Sequence, residues 1–132
     1  MKHLHLVTAV IEAGAGVALM GFPSAMVNLL LGAPLDAPAA VALGRLTGAA
    51  LFALGIACWL ASGDTKSRAA RGLVAAMTFY NFVAVDVFLY AGVGLNLAGV
   101  ALWPAILLHA AMAIWCVVCL MRNGAAMPTS TT

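Results

Sequence analysis

Four ionisable side chains stand where ionisable side chains are costly. Glu12, Arg45, Asp86 and His109 each fall inside a different long apolar segment of the chain. A charge in hydrocarbon costs roughly 2.5 kcal/mol or more unless it is paired or faces a polar interior. At 1.5 Å per helical residue, Arg45, Asp86 and His109 each lie roughly 8 to 10 Å from one end of their segments, and Glu12 about 13 Å from either end. One group per segment in one layer is the pattern of a shared buried cluster. Arg45 is expected to pair with Asp86 at matching depth, and His109 with Glu12 or Asp86. Asn81 adds a neutral donor and acceptor to the layer. Such a cluster suits a ligand pocket, a proton relay or a polar chamber at the level of membrane quinones. The same groups would equally serve as glue that fixes the register of the bundle.

The elements that must carry these groups follow from composition. Of 132 residues, 65% are hydrophobic and 8% charged, against about a quarter charged in a typical soluble domain. A span needs about 20 apolar residues, and four segments meet that need: Leu4 to Gly21, Ala39 to Ala61, Gly72 to Ala91 and Leu102 to Met121. They are long, rich in Ala and Leu and without period-two alternation, which excludes a strand-built barrel. The expected fold is all-α, a four-transmembrane-helix bundle over residues 1–122 with a short polar tail, 123–132. Gly44 and Gly48 share one face of the second span and are expected to let a neighbouring backbone approach beside Arg45.

Lys2, Lys66, Arg68, Arg71 and Arg122 fall at the N-terminus, in the second loop or just after the fourth span, and the first and third loops hold no basic residue. The positive-inside rule then predicts both termini cytoplasmic, in a multi-pass protein of the inner membrane. The net charge of +2 reports this topology and points to no nucleic-acid partner. Lys2 followed by an apolar run resembles a secretory signal, but Glu12 in its middle argues for a retained first span. His3 and His5 are expected at the cytoplasmic headgroup level. Met26, Val27, Leu29, Leu30 and Leu31 suggest a short helix in the outer interface. Asp36 and Pro38 read as a helix start, with an acidic cap and a proline in the first turn. Ser67 is placed to cap the third span, while Trp59 and Trp103 suit the interfaces.

Cys116 and Cys119 have a redox-like spacing, similar to that of four-helix thiol–quinone oxidoreductases. Those enzymes need a second cysteine pair in a loop, and this chain has only Cys58 besides; all three are expected as small core residues. His109 has no second histidine at its depth to share a haem iron. No metal or resident cofactor is expected, though contact with quinone or lipid is compatible with the layer.

Two families share features with the chain. A glutamate central in the first of four spans is similar to that of small multidrug-resistance transporters, which bind cations at the matching carboxylate, here Glu12. Gly44-Arg45-Leu46-Thr47-Gly48, with Gly55 seven residues on, resembles the second-span pattern of DoxX-like small four-helix membrane proteins, as do the length and the partly apolar first loop. Some members of that group are associated with quinone-linked sulfur oxidation or with redox-stress complexes, and Arg45 is the site residue that the resemblance carries over. The polar layer leads to the expectation of a non-catalytic accessory subunit or small-ligand binder of a membrane assembly, with other membrane subunits or copies of itself as partners in the lipid bilayer. The alternative is a proton-coupled small transporter using Glu12.

Overall fold

The computed structural model describes residues 1–124. The described residues form five α-helices: α1 (Lys2–Gly21), α2 (Pro23–Leu31), α3 (Pro38–Ala61), α4 (Arg68–Leu89) and α5 (Leu102–Gly124). A single π-helical turn, Tyr90–Gly94, prolongs α4. Among the described residues there is no strand. Among the described residues, four helical segments are long and apolar enough to cross a membrane: Lys2–Gly21, Pro38–Ala61, Arg68–Gly94 and Leu102–Arg122.

Helix starts follow local chemistry. Pro23 and Pro38 each open a helix in its first turn, where the missing N–H has no intrahelical partner to lose. Ser67 caps α4, its Oγ accepting from Ala70 N at 3.1 Å. Asp36 does not cap α3: the residue before the helix is Ala37, with no side-chain cap bond. The third span begins four residues earlier than hydropathy suggests, so Arg68 and Arg71 belong to the first turn of α4 and not to the loop. Asn123 and Gly124 extend α5; the rest of the expected tail, 125–132, lies outside the described residues.

α1 and α3 run antiparallel and touch backbone to backbone. A methyl group added at Gly16 would lie 2.6 Å from Phe52 N and 2.7 Å from Gly48 O, and one at Gly55 would lie 2.8 Å from Ala13 N. Only residues without side-chain bulk permit this approach. One at Gly44 would meet Pro23 and Leu35 side chains at 3.0 and 3.2 Å. α4 and α5 form the second antiparallel pair, with Gly92 against Leu102 at one end and Asn81 against His109 further in. The two pairs close on a core that includes Leu4, Ala9, Cys58, Val74, Met112 and Cys116.

The short α2 is tied to the segment before α5. Gly99 N donates to Leu30 O and Ala101 N to Leu29 O, both at 3.0 Å. Gly32 ends α2 in the left-handed conformation, φ 72°, which glycine adopts without steric cost. Ser24 then latches the loop, accepting from Leu35 N at 3.0 Å.

Candidate functional site

The buried face of α1 is polar over much of its length. Leu4, His5, Thr8, Ala9, Glu12 and Gly16 are its buried residues, at the three- and four-residue spacing of one helix face. His5, Thr8 and Glu12 are 1%, 2% and 4% exposed. His5 does not lie at the surface, as expected from its nearness to the N-terminus. The helix begins at Lys2, so His5 completes its first turn facing inward. It rests against the Ala70 backbone of α4, with neither ring nitrogen in hydrogen-bonding geometry. The spacing of His5, Thr8 and Glu12 was the signal available in the sequence, masked by counting the first residues as headgroup-level.

Glu12 has Cys58 of α3 and Tyr80 of α4 as electrostatic neighbours. Among the described residues no side chain hydrogen-bonds or ion-pairs with it. Across the interior, Asn81 is 1% exposed and makes two bonds. Its Nδ2 donates to Met77 O at 2.7 Å, and its Oδ1 lies 2.8 Å from His109 Nδ1. An amide oxygen can only accept, so His109 Nδ1 is the donor. The His109 ring is further held edge-on by Tyr80 and tilted against Phe88, each with ring centroids 5.7 Å away. α4 therefore supplies three successive restraints on one imidazole of α5, and Tyr80 links that imidazole to the side of the bundle where Glu12 lies.

The expected layer is thus assembled in part. Asn81 and His109 meet directly, whereas Glu12 makes no hydrogen bond to either among the described residues and has Tyr80 only as an electrostatic neighbour. Arg45 and Asp86 do not join: both are exposed, and among the described residues neither forms an ion pair. The two miss the interior for different reasons, one axial and one azimuthal. Gly48 is the outermost α3 glycine in contact with α1, meeting Met20 N next to the end of that helix at Gly21. Arg45, nearly one turn beyond, has no α1 face left to meet. Asp86 follows Asn81 by five residues, about 140° around α4, which turns it away from the interior. His109 accordingly takes Asn81 as its partner and not a carboxylate.

Three polar groups of the cluster have no protein partner among the described residues: the Glu12 carboxyl, the Tyr80 hydroxyl and His109 Nε2. The buried side-chain atoms without a partner among the described residues are the two ring nitrogens of His5; Glu12, Tyr80 and His109 instead keep their free polar atoms accessible, as groups that meet something other than the protein must. Together they can donate to and accept from a small polar group. An apolar groove of about 400 Å³ runs along the seam of α1 and α3, lined by Ala9, Ala13, Phe52, Gly55, Ile56 and Trp59 among others. Ala9 and Ala13 are also near neighbours of Glu12 along α1. Cys58, Cys116 and Cys119 are buried in the core, and among the described residues no disulfide joins them. Among the described residues no three His, Cys, Asp or Glu side chains converge as metal ligands. No family model, curated protein or solved structure matches the chain.

Proposed function

We propose that this chain is a non-catalytic, multi-pass inner-membrane protein, both termini cytoplasmic, that binds a small membrane-soluble ligand by its polar head. It would serve as an accessory component of a membrane assembly, in line with its sequence resemblance to DoxX-like proteins. The observation that carries the reading is the unpartnered trio of Glu12, Tyr80 and His109, one group from each of three helices, with Asn81 holding the imidazole. A head group with both donors and acceptors, as in a quinol, meets all three. The groove along the α1–α3 seam offers apolar surface to a lipid-soluble tail, and none of the three polar groups lines it.

Native mass spectrometry of protein released from its own membranes in mild detergent tests this. The wild type should carry a stoichiometric small-molecule adduct, which Glu12→Gln and His109→Phe lose while keeping their helical circular dichroism. Retention of the adduct by both variants would overturn the assignment.

A second reading has one specific observation in its favour. His5, Thr8 and Glu12 form a continuous buried polar line from the N-terminal end of α1 to its middle, which suits proton access to Glu12 and a proton-coupled transporter. Vesicles holding the purified chain and a pH-sensitive dye would then show proton flux that Glu12→Gln abolishes. The binding reading expects none.

A further inference from the structure

Arg45 and Asp86 are the charges the interior does not use. Both are exposed, inside helices otherwise fit to cross a membrane. The surface around Asp86 is strongly apolar, with Phe79 73% and Phe82 56% exposed on neighbouring turns of α4 and Tyr90 64% exposed on the π-helical turn that follows. Arg45 stands between Leu43 and Leu46, 64% and 67% exposed. Counting from the midpoints of Pro38–Ala61 and Arg68–Gly94, Arg45 lies about 7 Å and Asp86 about 8 Å away. α3 and α4 are consecutive spans of opposite direction, so both displacements point to the same membrane face. Two opposite charges therefore occupy one depth on the outside of the bundle.

Intramembrane charges pair or face a polar interior. An arginine can reach the headgroups with its long side chain; an aspartate cannot. Asp86 thus requires a cation from outside its own chain, and a chain of identical sequence presents one at the matching depth. We infer that Arg45 of one copy pairs with Asp86 of another, making this charged apolar surface the contact of a homo-oligomer. Such interfaces repeat the same pair at each contact, so every copy uses both charges. This surface is separate from the interior cluster and stands or falls independently of the ligand.

Charge exchange tests the pairing. Arg45→Asp leaves two acidic residues on a chain and Asp86→Arg two basic ones. Each variant alone should run as a monomer in mild detergent and in nanodiscs, whereas the wild type runs as an oligomer. Co-expressed with different tags, the two should copurify as a mixed oligomer, because every contact regains an opposite pair. A monomeric wild type, self-association of either variant at the wild-type level, or failure of the mixture to associate would overturn the inference. If a charge variant does not fold, Arg45→Cys and Asp86→Cys chains serve in its place. Mild oxidation of membranes should yield a disulfide-linked dimer when both are present and none with either alone. A dimer from one chain alone, or no dimer from the mixture, would mean that another protein or a lipid headgroup covers these charges.

Discussion

Gly14 and Gly16 are two residues apart on α1 and predict opposite consequences for one added methyl group. At Gly14 a Cβ meets nothing within 4 Å. At Gly16 it meets Phe52 N at 2.6 Å, Gly48 O at 2.7 Å and Phe52 Cα at 2.9 Å. All three are α3 backbone atoms that cannot rotate aside. Ordinary contact begins at 3.4 Å, so α1 and α3 must open locally by as much as 0.8 Å. A gap of that size forfeits about a quarter to a half of the dispersion energy across it, and overpacking of this kind costs about 1–3 kcal/mol. Replacing glycine by alanine in a helix interior returns about 1 kcal/mol through backbone entropy. That return is shared by both sites, so the difference between Gly16→Ala and Gly14→Ala isolates the packing term. Unfolding in mixed micelles titrated with SDS, followed by circular dichroism, should place Gly16→Ala about 1–3 kcal/mol below Gly14→Ala. Equal stability of the two variants would show that α1 and α3 do not approach at Gly16.

Asn81→Leu removes the 2.8 Å partner of His109 Nδ1 and leaves a donor in the interior, at about 1–3 kcal/mol; the same titration reads it, with His109→Phe added to the same chain recovering part of the loss. Ser67→Ala deletes the cap on Ala70 N and should cost about 1 kcal/mol, read as a lowered thermal midpoint. Asn96→Cys in intact cells should react with an impermeant maleimide, while Lys66→Cys should react only after lysis; the reverse would invert the topology.

The helices were legible because each apolar run is long, bounded by Pro, Gly or Ser, and free of charge clusters. Depth was legible too, since counting residues measures it. Azimuth was not. A helix apolar on all sides, as α3 is, carries no amphipathic signal to say which face turns inward. That is why Arg45 and Asp86, equal in depth, were expected to meet, although α1 stops short of the first and α4 rotates the second outward. The polar line of α1 was hidden for another reason. Where a helix starts decides whether the first histidines are inside or out, and Met1-Lys2 holds no capping side chain to mark that start.

The most direct measurement addresses Glu12 itself. A lipid-soluble carbodiimide attaches covalently to carboxyls in apolar surroundings, and peptide mass spectrometry locates the adduct. With no hydrogen-bond or ion-pair partner for its carboxyl among the described residues, Glu12 should be modified in purified, delipidated protein and protected in native membranes, where the ligand covers it. Equal modification in both preparations, or none in either, would contradict a ligand site at the centre of this bundle.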